Sequence, residues 1–149
     1  MATYIRNRNA HFNFEVLESF EAGLVLSGAE VKAIRAGKGK LDGGHVVVRG
    51  GEAFLVGISI SPYQEKNTPK SYDPERARKL LLSKKQLAHL AQESEQAGLT
   101  LVPIALYNNG RNIKLEVALA RGKKKADKRE TIKKRDTKRE IDRILKNQR

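Results

Sequence analysis

Two apolar runs constrain this chain more than anything else in it: residues 99–107 (LTLVPIALY) and 112–120 (NIKLEVALA). They flank Asn108-Asn109-Gly110-Arg111, residues that favour a tight turn. In the second run Ile113, Leu115, Val117 and Leu119 alternate with Lys114 and Glu116. A period of two puts the apolar set on one face of a strand and the charged pair on the other. The segment therefore predicts a β-hairpin with one face buried. Pro103 cannot donate to a ladder, so the reading places it at an edge or a bulge.

Upstream, more strands are legible. Residues 1–11 are polar and basic and read as a short arm exposing Arg6 and Arg8. Phe12, Phe14 and Val16 alternate with Asn13 and Glu15, and Phe20 continues a half-buried strand. Leu24, Val25 and Leu26 make a further short run after a bend at Gly23. Residues 45–49 and 52–60 flank Gly50-Gly51, the pair of glycines that a tight hairpin turn accepts. Residues 63–72 read as a polar surface loop.

Helices announce themselves by their starts. Ser27-Gly28-Ala29-Glu30 fits a capping box, in which two side chains satisfy two otherwise unpaired N–H groups. A helix of two to three turns should follow, burying Val31 and Ile34 and ending at Gly37. Ser83 with Gln86 is a second capping box, opening a helix that buries Leu87 and Leu90. Asp73-Pro74-Glu75 also reads as a helix start, followed by a short basic helix through Leu80, Leu81 and Leu82. Three leucines in a row cannot all face one core, so one is surplus, for packing between helices or for a partner. The expected fold is mainly β: a small closed antiparallel barrel of about six strands, resembling an OB fold, with two or three flanking helices. Residues 1–121 form this body, and 122–149 form a basic tail.

The tail holds most of the excess charge. The chain is +13 overall, and residues 121–149 carry fourteen Lys or Arg against five Asp or Glu. No Gly or Pro follows Gly122, yet the tail's large apolar residues are few: Ile132, Ile141, Ile144 and Leu145. Packing supplies most helix stability, so the tail reads as loose in water and able to order on a polyanion. The alternative is a solvated basic extension. With a sequence pI near 10.1, the favoured partner is nucleic acid rather than an anionic membrane. There is no apolar run long enough to span a bilayer, no signal-peptide pattern and no cysteine, which fits a cytoplasmic protein.

Catalytic patterns are sparse. His11, His45 and His89 stand apart from one another and from any second ligand at metal spacing. No nucleophile elbow, phosphate-binding lysine loop or dinucleotide fingerprint is present. Gly37-Lys38-Gly39-Lys40 is a weak phosphate cradle. The chain reads as a binding protein without a cofactor, not an enzyme. The tail lacks aromatic residues, so any base stacking falls to the body, where Phe12, Tyr63, Tyr72 and Tyr107 are candidates, with Phe12 and Tyr107 more at home in a core.

Several stretches together resemble a known family. Asn7-Arg8-x-Ala10, Phe20-Glu21-Ala22-Gly23, Glu30-Val31-Lys32, Arg35-Ala36-Gly37-Lys38, Asp73-Pro74, Arg78-Lys79-Leu80-Leu81-Leu82 and Gly122-Lys123-Lys124 with Asp127-Lys128-Arg129 stand in order. In these the chain is similar to SmpB, the SsrA-binding family of bacteria, over nearly its whole length. The resemblance implies an OB barrel that binds transfer-messenger RNA at its tRNA-like domain, at the D-arm and elbow. It implies trans-translation, the rescue of stalled ribosomes, as the role. The barrel would stand in for a missing anticodon stem, and the tail would fold as a helix in the empty mRNA channel of the small subunit, with the protein acting as a monomer. The RNA-binding residues it implies are Asn7, Glu21, Lys79 and Leu81, to which the basic residues Arg8, Lys32, Arg35 and Lys38 are added. The tail set is Gly122, Lys123, Lys124, Asp127, Lys128, Arg129, Lys133, Lys134, Arg135, Ile144 and Leu145. This chain departs from the family pattern at Asn9, His11, Phe12 and Ser83. The alternatives are a structural ribosome-associated protein anchored to rRNA by its tail and, more remotely, a phosphate-handling enzyme on a small barrel.

Overall fold

In the computed structural model, residues 2–96 and 98–123 are described. The expected C-terminal hairpin dominates: β8 (Leu99–Asn109) and β9 (Asn112–Gly122) pair antiparallel along their whole lengths. The register slips between Pro103 and Ala105, so the proline sits at a bulge, as its missing donor requires. β2 (Phe14–Leu24) is a single long strand on the other side of β9. β4 (His45–Arg49) and β5 (Glu52–Val56) form the next hairpin. Its turn is Gly50-Gly51, with φ of 58° and 76°, values that residues with a Cβ rarely adopt.

Six strands close on themselves. The order β8-β4-β5-β7-β2-β9 returns to β8 through the β8–β9 pairing, with β7 spanning Arg78–Leu81. The small closed architecture expected from the sequence is thus met as a ring of six strands. A further strand, β1 (Thr3–Arg6), pairs with β8 outside the ring. Two short strands, β3 (Gly39–Lys40) and β6 (Ser59–Ile60), make a separate pair. The interior is filled by one apolar cluster that includes Ile34, Leu41, Leu55, Leu80, Leu90, Leu101, Leu106, Leu115 and Leu119. A smaller cluster of Ala10, Val102, Ile104, Ala105, Ala118 and Ala120 lies under Phe14 and Val16.

Three α-helices join the ring: α1 (Ala10–Asn13), α2 (Gly28–Arg35) and α3 (Lys84–Ser94). Both capping boxes form. Ser27 Oγ accepts from the Glu30 N–H at 3.2 Å, and Glu30 Oε1 accepts from the Ser27 N–H at 3.0 Å. Ser83 and Gln86 repeat the exchange at 3.2 Å each way. Such a cap contributes about 1 kcal/mol.

Four local readings are corrected. The residues after Asp73 do not make a helix. The Asp73 carboxylate accepts from the Glu75 N–H at 2.9 Å, which makes a turn, and Arg78–Leu81 then runs extended between β2 and β5. Alternation along β7 resolves the run of leucines: Leu80 is buried and Leu81 is 54% exposed. The basic arm is ordered, as β1 followed by α1, which takes Phe12 out of the strand assigned to it. Residues 52–60 are two strands, broken at Gly57 with φ 74°. β2 runs through Gly23 to Leu24 without a break there, Val25 and Leu26 lie beyond its end, and the irregularity falls between Val16 and Glu18 instead.

Candidate nucleic-acid interface

The outer face of the ring carries two rows of side chains set by register. Gly23 on β2 lies opposite Leu81 on β7 and Lys114 on β9, and Lys114 lies opposite Tyr107 on β8. The first row is therefore Leu81, Gly23, Lys114, Tyr107. Two residues along, Glu21 pairs with Glu116, Glu116 with Ala105, and Ala105 with Arg6 of β1. That second row is Glu21, Glu116, Ala105, Arg6. A Cβ added at Gly23 would stand 3.2 Å from the Leu81 Cβ and 3.6 Å from Lys114 Nζ, so glycine leaves a notch between an apolar and a cationic side chain.

Two clefts open on this face. One, of about 300 Å³, is lined by Gly23, Val31, Arg35, Leu81, Arg111 and Lys114 among others, and none of its lining residues is acidic. Arg35 crosses from α2 to donate to the Arg111 carbonyl at 3.2 Å. The other, of about 480 Å³, is lined by Arg6, Phe20, Glu21, Tyr107 and Glu116 with Thr3, Ser19 and Ala105. Glu21 there accepts from Asn109 Nδ2 at 2.7 Å, beside the Tyr107 hydroxyl. Burial, then the Glu21 charge and its hydrogen bond, then Glu116, push the Tyr107 hydroxyl up to about 12. It stays protonated, a donor, at neutral pH.

The remaining predicted residues are spread around this face. Arg8 is exposed and shares a cleft with Arg6, Lys40 and Asp42, where the Gly37–Gly39 turn approaches the arm. Lys38 turns away from it, donating to the Tyr63 carbonyl at 3.0 Å with its ammonium 5.5 Å from the Tyr63 ring centre. Lys79 is exposed and pairs with Glu52 at 3.1 Å, a contact of small energetic weight at the surface. Lys32 is exposed on α2. Asn7 is buried: its backbone N–H donates to the Ile104 carbonyl at 2.8 Å and its side chain to the Pro103 carbonyl at 2.9 Å. It clamps the arm onto the bulge of β8.

The root of the tail lies nearby. Gly122 ends β9 opposite Phe14, and Lys123 donates from its backbone to the Asn13 carbonyl at 2.9 Å and from Nζ to the His11 carbonyl at 2.6 Å. Both line one cleft with Asn7. Lys124, Asp127, Lys128, Arg129, Lys133, Lys134, Arg135, Ile144 and Leu145 lie outside the described residues. Sequence reading missed two contributors to the outer face, Arg111 and Lys114, and weighed a third, the stacking candidate Tyr107, towards the core. Arg111 sits in the hairpin turn, and Lys114 was legible as an outward position of β9. Tyr107 is half-buried rather than core, and it lines the cleft. Among the described residues no group of three or more His, Asp or Glu is placed to hold a metal ion, and no helix is long and apolar enough to cross a membrane.

Residues 4–147 match the family described as SmpB protein. The chain belongs to the SmpB family. Its similarity to curated members is high throughout. It is 51% identical over 142 residues to the SsrA-binding protein of Burkholderia vietnamiensis strain G4, covering 95% of this chain and 96% of that one. It is 48% identical to the SsrA-binding protein of Microcystis aeruginosa, covering 94% and 91%. A chain from the solved structure described as "tmRNA-SmpB: a journey to the center of the bacterial ribosome" superposes with a TM-score of 0.69 at 44% identity, over 83% of this SmpB chain and 87% of that one.

Proposed function

We propose that this chain binds transfer-messenger RNA, the SsrA RNA, at its tRNA-like domain and acts with it on stalled bacterial ribosomes in trans-translation. The observation that supports this most is the outer face itself. In a family whose members are named for binding SsrA RNA, β2, β7 and β9 set Leu81, Gly23 and Lys114 side by side, with Arg35 and Arg111 over the same cleft. Two guanidiniums and an ammonium in a cleft with no acidic lining residue suit phosphates, and counterion release supplies the affinity. The exposed Leu81 and the notch at Gly23 suit a sugar or base edge. The carboxylate of Glu21 accepts from base amino groups and discriminates against bare backbone.

In this proposal the body grips the RNA and the segment beyond Lys123 enters the empty mRNA channel of the small subunit, where phosphate-lined walls order it as a helix. Lys124, Lys128, Arg129, Lys133, Lys134 and Arg135 supply the charge, and Ile144 and Leu145 the distal apolar contact. The protein works as a cytoplasmic monomer and performs no chemistry of its own; peptide transfer belongs to the ribosome.

The test is a gel shift of the tRNA-like domain at stated salt, with ordinary tRNA and duplex RNA as competitors. Cognate RNA must displace the complex far better than duplex. Equal displacement by duplex contradicts shaped recognition and leaves an electrostatic rRNA anchor in its place.

A further inference from the structure

Glu21 stands where a polyanion-binding surface would be expected to avoid negative charge. Its cross-strand neighbour is Glu116, and like charges directly opposite disfavour one another. A cation would be the simplest compensation, and Arg6 lines the same cleft. Yet no ion pair among the described residues involves Glu21. It accepts instead from a neutral donor, the Asn109 amide at 2.7 Å, and the neutral Tyr107 hydroxyl lines the same cleft. Neutral donors fix the direction of a carboxylate without cancelling its charge.

We infer that Tyr107 and Asn109 are positioning residues for RNA recognition: they hold the Glu21 carboxylate from the β8 side, so that its free lone pairs face the cleft as acceptors for the N–H groups of an unstacked RNA base. The inference rests on the RNA-binding reading above. A carboxylate offers about four acceptor sites, and two donors leave about two free. Acceptors held in that way select the exocyclic amino edge of cytosine or adenine, or the N1–H and amino pair of guanine. Phosphate, which has no N–H and carries the same sign of charge, is turned away. Tyr107 also lines the cleft, and its ring offers a flat surface against which a base from a loop can lie. Asn109 is the last residue of β8, beside the Gly110 turn, so its amide reaches Glu21 from a hairpin already fixed by the β8–β9 ladder.

The experiment is a double-mutant cycle on the full chain, read as affinity for the tRNA-like domain of transfer-messenger RNA across a salt series. Tyr107→Phe and Asn109→Ala should each weaken binding by about tenfold, the loss of one hydrogen bond to a charged group. The slope of log affinity against log salt should not change, because no phosphate contact is touched. In a Glu21→Ala background neither substitution should weaken binding further. Equal losses with and without Glu21, no loss at all, or a changed salt slope would each overturn the positioning role. If the wild-type chain itself fails to prefer this RNA over duplex, the RNA reading falls and the inference with it. If that preference holds while the losses add, the positioning role alone falls.

Discussion

Arg78 and Glu30 are joined by two hydrogen bonds across 48 residues of sequence, and both side chains are fully shut off from water. Arg78 Nε and Nη2 donate to the same carboxylate oxygen at 3.0 and 2.8 Å, while Arg76 donates to the other. Arg78 Nη1 also donates to the Arg76 carbonyl at 2.6 Å, and Nη2 reaches the Tyr72 hydroxyl at 3.4 Å. The pair ties the capped start of α2 to the start of β7. Removing Arg78 strips the buried carboxylate of the partner on one oxygen and leaves it to Arg76 and the Ser27 N–H on the other; loss of a buried partner costs up to about 3–5 kcal/mol. Arg78→Met should therefore lower the midpoint of thermal or urea unfolding sharply. The double variant with Glu30→Met should recover part of the loss, because the one charge left, Arg76, is partly exposed to water.

Acid should act on the same pair. Burial pushes the Glu30 carboxyl up from its ordinary 4.5, but hydrogen bonds from Arg76, the Ser27 N–H and Arg78, with the Arg78 charge, outweigh it and hold the value down. A depressed carboxylate stabilises the fold above its ordinary value, and that stabilisation is lost as pH falls through the lower, folded value. Unfolding midpoints measured from neutral pH downwards should fall below about pH 4.5 more steeply for wild type than for Glu30→Gln. Parallel curves would remove Glu30 from the acid response.

Leu80 and Leu81 should part company under mutation. Leu80 is 2% exposed and Leu81 54%. Leu80→Ala should cost about 2–5 kcal/mol by cavity formation. Leu81→Ala should change stability by no more than about 0.5 kcal/mol, yet weaken RNA binding. Paired unfolding and gel-shift measurements separate the two.

Lys114 should behave as a phosphate contact. Lys114→Ala should weaken binding to the tRNA-like domain and reduce the salt slope by about 1. An unchanged slope with weaker binding would assign the residue to packing or to a base.

These contrasts also show how far the sequence reached. Both capping boxes, the Gly50-Gly51 turn, the Pro103 bulge and the alternation of β9 were legible because each depends on neighbours a few residues away. Residues 73–82 were misread because a local helix signal competed with distant partners. Arg78 is extended so that it can meet Glu30, and Leu80 so that it can enter the core between β2 and β5. Local propensity gives way to such pairings. Ring closure was expected as a class, but the order β8-β4-β5-β7-β2-β9 depends on contacts between residues far apart in the chain. The outer face followed the same rule. Glu21 and Leu81 came from the family resemblance, whereas their meeting with Lys114 around Gly23 is a fact of register.

Gly122 and Lys123 are bound to the body, so a clean removal of the tail begins at Lys124. The most direct measurement compares the full chain with one lacking residues 124–149, scoring affinity for the tRNA-like domain and peptide tagging on ribosomes stalled at a message end. A body that grips the RNA and a tail that works in the ribosome predict retained affinity with tagging abolished. Tagging that persists without the tail, or RNA binding that vanishes with it, would contradict that division.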